Sequence, residues 1–479
     1  MMRAVLAGVI IVISVWVLSS ARTGVDITQR SVGQTPVTEY AIPGADGPVV
    51  VVAHGFAGSQ QMMQGYALPL ARAGYRVLAF EFLGHGRHPL PMSGDVTAID
   101  GTTRLLMAQV AAVLDDIGPS HQPVALLGHS MATDILARVA ATRSDVGPLV
   151  LISAFSQAID ARGPDALLLV TGAWEPGLRA FALEAAQMVD PAAVEGQTVR
   201  EGTLARRAVI APLSEHVSVL QSRVGRTEAL AWLDQSYGRS SQVQILPTGW
   251  ALMTLFLGLV LIFRPLAARL PERPSAPVSL VWWQVLNVVL VPAVLAPLTA
   301  VALDMSFLPV LVADHLMLHL LVFGGLQLAF LRYWRVPFGG FSMWAFAVLI
   351  LWCAAFGFAL DRYAANFWPT AERVWIIAVI LVGAVPYMLA DVVLCVQGPL
   401  WQRLACRMGF LASLILAVAL DFEGLFFLIM IAPVMVLFYL IFGTVGRQAA
   451  RISGPLAPGL ALGLVLAWAL GVSFPLFQV

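Results

Sequence analysis

The sequence predicts two architectures in series: an α/β domain with a mostly parallel sheet covered by helices on both faces, then an all-α transmembrane helix bundle. Three observations predict this. Hydrophobic residues make up 59% of the chain and charged residues only 12%, far from soluble averages. These apolar residues are unevenly placed, with an ordinary globular composition over residues 22–242 and near-continuous hydrophobic segments from about residue 245 onward. Within the globular stretch, short apolar runs alternate with amphipathic ones, as strands and helices do when they take turns along a chain.

Taken in order, residues 1–21 carry an apolar run at 4–20 that reads as a signal anchor. Ser19-Ser20-Ala21 also makes a small-residue cleavage site, so a signal peptide is the alternative, and both place the α/β domain outside the cytoplasm. Residues 22–242 form that domain, long enough for one full core. Strands are expected at 48–53, 76–82, 124–127, 149–153, 166–171 and 207–212, and helices at 61–73, 103–116, 131–142 and 178–188. Functional residues then belong on loops at the carboxyl ends of the strands.

Residues 243–479 form the transmembrane domain of about eight spans. The spans are expected at 245–263, 278–301, 306–331, 341–360, 374–396, 404–420, 425–442 and 456–477. Asp421-Phe422-Glu423-Gly424 reads as an acidic turn between two of them. Arginine orients the bundle, because short cytoplasmic loops are Arg-rich. Arg3, Arg264, Arg269, Arg273, Arg332, Arg335, Arg403, Arg407, Arg447 and Arg451 fall on one side, and only Arg362 and Arg373 on the other. This tally again places the α/β domain outside the cytoplasm.

The 28 basic residues, all arginine, balance 28 acidic ones, which argues against a nucleic-acid partner. Cys353, Cys395 and Cys406 all lie in the membrane half, leaving the α/β domain without a disulfide.

Chemistry enters at Gly128-His129-Ser130-Met131-Ala132, directly after the apolar run Val124-Ala125-Leu126-Leu127. Small residues around a serine let the chain turn sharply from strand into helix, exposing the hydroxyl above the sheet edge. Such a serine is a nucleophile when an imidazole accepts its proton. His216 follows the last expected strand, and a carboxylate is needed to orient it. Glu175 and Asp160 each follow an expected strand and could reach the same ring. His54 and His129 flank the site as packing or orienting groups, and His121 reads as an exposed loop residue.

Residues 37–236 resemble an α/β-hydrolase domain of the esterase and serine-aminopeptidase branch. His54-Gly55-Phe56 resembles the oxyanion loop, Leu70-Ala71-Arg72-Ala73-Gly74-Tyr75-Arg76-Val77 the following helix-to-strand joint, and Gly84-His85-Gly86-Arg87 the loop after it. The family order of serine, acid and histidine implies Ser130, Glu175 and His216 as the triad. It also implies that the backbone N–H groups of Phe56 and Met131 form the oxyanion hole. Ala132 replaces the second elbow glycine and glutamate replaces the commoner aspartate.

Only about a dozen residues separate the strands at 149–153 and 166–171, so little or no cap is expected over the site. An open site tethered to a bilayer suits an amphiphilic acyl substrate, with the membrane half supplying the missing wall, and small water-soluble esters or peptides fit the triad equally well. The resulting expectation is a membrane-anchored extracytoplasmic serine hydrolase of acyl esters that needs no cofactor or metal. The alternative is a transporter, assembly factor or acyltransferase with the hydrolase domain as an accessory. In the membrane half, Asp314, His315 and His319 share one span, with Asp391 in another as a possible partner. This group suits a polar headgroup, a proton relay, a bound metal or haem, or plain interhelical hydrogen bonding, and two histidines on one helix are too few ligands to assign a metal by themselves.

Overall fold

The computed structural model describes residues 2–95, 99–118, 120–273, 280–396 and 398–478. Helix α1 (Met2–Arg22) leads into the antiparallel strands β1 (Asp26–Val32) and β2 (Thr35–Ala41). There follow β3 (Val49–Ala53), α2 (Gln64–Arg72), β4 (Arg76–Phe80), α3 (Arg104–Ile117), β5 (Val124–His129) and α4 (Met131–Thr142). The α/β domain closes with β6 (Val146–Ile152), β7 (Ala166–Gly172), α5 (Pro176–Gln187), β8 (Thr198–Glu201), β9 (Leu204–Ala211) and α6 (Arg223–Ser236).

These strands make one nine-stranded sheet in the order β1-β2-β4-β3-β5-β6-β7-β9-β8. Strands β4, β3, β5, β6, β7 and β9 run parallel, whereas β1, β2 and β8 are antiparallel. Successive side chains of a strand face opposite ways, so a run buried throughout must feed two cores. Val49, Val51 and Ala53 join the core beneath α3, α4 and α5, while Val50 and Val52 join the one beneath α2 and α6.

The antiparallel strands lie outside the expected set, because edge strands such as Asp26–Val32 keep one side in solvent and lack an apolar run. Strand β9 begins at Leu204, three residues earlier than expected, because Arg206 is fully buried inside it. Its guanidinium donates to the carbonyls of Ala185 at 2.8 Å, Gly163 at 2.9 Å and Asp160, which makes an arginine tolerable in the core.

The second half contains α7 (Thr248–Ala267), α8 (Trp282–Leu303), α9 (Ala313–Tyr333), α10 (Met343–Tyr363) and α11 (Ala371–Cys395). It continues with α12 (Leu400–Leu420), the short α13 (Phe422–Leu425), α14 (Ile431–Ser453) and α15 (Leu456–Ser473). Among the described residues nine helices are long and apolar enough to cross a membrane, with Phe422–Ser453 counted as one. This is a multi-pass membrane protein. Helix α11 packs between α9 and α15, and α8 packs on α9 and α12.

The bundle departs from expectation at several ends. The span expected from residue 278 begins its helix at Trp282, with residues 274–279 outside the described part. The span expected from 306 begins at Ala313, after Val312 in the left-handed region at φ 57°, and the preceding Leu311 packs against the α/β core. The span expected to reach 477 ends at Ser473, and Phe477 pairs with Met92 of the α/β domain and enters its core. Asp421 does form a turn, accepting the Gly424 N–H at 3.0 Å. Arg447 and Arg451 lie inside α14 rather than in a loop.

Polar contacts join the two halves at one end of the bundle. Arg87 holds Asp361 through 2.6 and 2.7 Å hydrogen bonds, and Ser59 Oγ accepts the Asn366 N–H at 3.1 Å. Arg373, expected in a loop, is fully buried in the first turn of α11. It donates to Gly84 O at 2.8 Å, to Gly471 O at 3.1 Å and to Phe474 O.

Candidate active site

Strand β5 ends at His129, and Ser130 turns the chain into α4 with φ 53° and ψ −119°. A non-glycine residue rarely adopts this conformation, and here it lifts the hydroxyl above the sheet edge. The strain is held by fixed partners: Ser130 N–H donates to Ile152 O at 2.9 Å, and Thr133 Oγ donates to Ser130 O at 2.7 Å. Gly128 leaves room for α4, since a Cβ there would lie 2.6 Å from Leu136 Cδ1 and displace that side chain. Gly55 is required, because its Cβ would lie 2.9 Å from Ser130 Cβ as the loop after β3 crosses the serine.

The loop after β9 brings His216 over the serine. Ser130 Oγ lies 2.8 Å from His216 Nε2, and His216 Nδ1 lies 2.6 Å from Glu175 Oε1. The outer imidazole remains partly open to solvent, whereas the Glu175 side chain is buried. Glu175 Oε2 also accepts from Ser153 Oγ and from Gly172 N–H, each at 2.7 Å. Burial alone raises a carboxyl pKa, but the hydrogen bonds from His216, Ser153 and Gly172 outweigh it and hold Glu175 below its ordinary value. His129 Nε2 lies 2.8 Å from the His216 carbonyl oxygen. Burial, helped by the neighbouring His216, lowers the His129 pKa to about 4, so the ring is neutral and donates to that carbonyl.

Asp160, the competing acid, sits in a tight turn among residues at the amino ends of the strands, where it accepts from Arg162 N–H at 2.7 Å. The backbone N–H groups of Phe56 and Met131 donate to no protein group among the described residues. His54 is buried and accepts the Phe82 N–H at 3.1 Å, a loop-holding role.

Residues 45–193 match the family model described as serine aminopeptidase, S33. The first half of the chain has an α/β-hydrolase fold, and residues 45–193 are similar to that family. A protein described as a predicted CIB-like hydrolase from Thermoplasma acidophilum is 16% identical, covering 44% of this chain and 100% of its own, with TM-score 0.35. A membrane phospholipase A described as a bacterial virulence factor is 19% identical, covering 49% of this chain and 96% of its own, with TM-score 0.34. An epoxide hydrolase from Vigna radiata is 22% identical, covering 27% of this chain and 41% of its own, with TM-score 0.23. No curated protein matches the chain.

No helical cap covers the hydrolase domain between β6 and β7, and the membrane bundle lies over the site instead. Ser130 and His216 open into a cavity of about 320 Å³, whose far wall is Val310 to Val312, Phe427, Met430, Ile431 and Val434, with Leu470 and the Phe474–Phe477 tail. No sequence signal marks these contributors, since each is an ordinary apolar residue far along the chain. Ser153 escaped the sequence reading as well, although it ends an expected strand on the edge that carries Ser130.

The membrane residues singled out from sequence do not form one site. Asp314 and His315 line a separate cavity, His319 Nε2 lies 2.7 Å from Ser413 Oγ, and Asp391 pairs with Arg407 at 2.9 and 3.0 Å instead of with a histidine. Among the described residues no cluster of histidine, cysteine and carboxylate groups could hold a metal ion.

Proposed function

We propose that this chain is a membrane-embedded serine hydrolase that cleaves a lipid-like acyl ester through an acyl-Ser130 intermediate. The observation that carries the reading is the hydrogen-bonded series Ser130, His216 and Glu175 facing an apolar cavity walled by membrane helices. As Ser130 Oγ attacks the ester carbonyl, His216 Nε2 takes its proton, and Glu175 stabilises the resulting imidazolium. The unpartnered N–H groups of Phe56 and Met131 hold the oxyanion, an interaction whose loss costs about 2.7–4 kcal/mol in comparable sites. Collapse expels the alcohol, which takes the proton back from His216. Water then repeats the attack on the acyl-serine with His216 as base, releasing the acid and the free serine.

The acyl chain lies in the apolar cavity, entering from the bilayer that surrounds the bundle. With arginines concentrated at the opposite ends of the helices, the hydrolase domain faces the extracytoplasmic side. A fluorophosphonate probe on the purified full chain tests the chemistry. Labelling is expected in the native protein and lost in Ser130→Ala, with thermal stability unchanged because the hydroxyl is not part of the core. Equal labelling of the variant overturns the assignment.

A further inference from the structure

Adjoining the apolar cavity is a second one of about 390 Å³, and the two share Val310, Leu311, Val312 and Phe477 at their border. Its lining is apolar in large part as well, but it carries charge. Asp304, Asp314, His315 and Asp421 line it, and no arginine does among the described residues. Two of these groups are buried without full satisfaction. Asp314 is 3% exposed and His315 6%, yet Asp314 Oδ1 and His315 Nε2 have no hydrogen-bond partner. Asp314 Oδ2 is occupied by the Leu308 N–H at 3.0 Å, which fixes the carboxylate and leaves the other oxygen free.

Buried polar atoms are normally paired, and each exception calls for a partner. The border of the two cavities is held in an uncommon conformation, Val312 being a β-branched residue at φ 57°. This turn ends the apolar wall and begins α9, whose first residues bring Asp314 and His315 to the second cavity.

We propose that this second cavity binds the ammonium end of an amine-bearing amphiphilic ester whose acyl chain fills the cavity at Ser130. An ammonium brings N–H donors that suit the free Asp314 oxygen, the His315 nitrogen as acceptor and the Asp304 and Asp421 carboxylates. Carboxylates without a compensating arginine disfavour a phosphate-bearing or carboxylate head. The inference rests on the ester-hydrolase reading for the chemistry at Ser130, but the ammonium site is testable without turnover.

The test uses the full chain in detergent. Ser130→Ala protein is titrated with dodecylammonium and, in parallel, with dodecanol and with calcium chloride, reading the thermal midpoint. Dodecylammonium is expected to raise the midpoint, with dodecanol giving a smaller rise and calcium none. Asp314→Asn, and separately the exposed Asp304→Asn as a substitution that leaves the core alone, are expected to weaken the ammonium effect. In the native protein, an ester with a terminal amine on its alcohol is expected to exceed its neutral hydroxyl counterpart in kcat/KM by about tenfold or more, as hydrogen bonds to a charged group allow. That ratio is expected to fall in both variants.

Equal shifts with dodecylammonium and dodecanol, or an ammonium effect untouched in both variants, overturn the proposal. Stabilisation by calcium alone overturns it in favour of a metal site. Fluorophosphonate labelling of the native protein, purified in the same way, separates the two readings. Labelling with no amine preference sinks the ammonium site and keeps the hydrolase, and no labelling sinks the hydrolase while the midpoints still decide the ammonium site.

Discussion

Glu175 is distinguished from Asp160 by what each oxygen touches. Glu175 meets His216, Ser153 and the Gly172 N–H, whereas Asp160 accepts from Arg162 and Gly163 at the opposite sheet edge. Glu175→Gln is therefore expected to lower kcat by about 10³- to 10⁴-fold, the scale at which an imidazole in the wrong tautomer fails. Asp160→Asn is expected to keep near-native turnover, and the reverse ranking in ester kinetics contradicts the assignment. The buried imidazoles add a pH effect. His129 and His88 have pKa values lowered by burial to about 4, from an ordinary 6.5. Below pH 6.5 the unfolded chain binds protons that the folded one refuses, so stability is full above 6.5 and declines as pH falls toward 4. Thermal midpoints across that range should show this fall, and His129→Gln should flatten it in part. Among single residues, Ser130, Glu175 and His216 were legible in the sequence because motif and chain order mark them. The anchoring of His216 by His129 was not, because it depends on a carbonyl 87 residues away.

Among the elements, the segments that matter most to docking are those that are neither regular helix nor strand. The tail after α15 crosses back to the hydrolase domain, where Leu476 N–H donates to Gly84 O at 2.8 Å and Met92 N–H to Leu476 O at 2.8 Å. Arg373 clamps the same Gly84 carbonyl together with Gly471 and Phe474. Replacing it by methionine takes the guanidinium from the Gly471 and Phe474 carbonyls and leaves Gly84 O with the Leu476 N–H alone, which should cost about 3 kcal/mol, read as a lower thermal midpoint of the full chain. An unchanged midpoint contradicts the clamp. The buried parallel strands and the long apolar helices were legible, since burial on both faces and bilayer-length runs leave plain signals. The edge strands, the delayed start of α9 and the early end of α15 were not. In each, polar exposure or a contact with the other half overrides local pattern.

In the molecule as a whole, helices of the bundle line the cavity into which Ser130 and His216 open. Sequence pointed to the membrane half for a wall of this site, but not to which helices provide it. The orientation is tested by reporters: one fused after Gln242 is expected to read extracytoplasmic, and one at Arg269 cytoplasmic. Cytoplasmic signal from both contradicts the arrangement. Whether membrane helices form the acyl site of Ser130 is decided by kcat/KM for esters of increasing acyl length, compared between the native full chain and Val434→Trp. Each buried methylene is worth about 0.8 kcal/mol, so kcat/KM should rise about fourfold per methylene until the cavity is full. With Val434, which lines the cavity from α14, replaced by tryptophan, the rise should stop at a shorter chain while short esters are turned over as before. Superimposable profiles for the two proteins would show that the bundle does not hold the acyl chain.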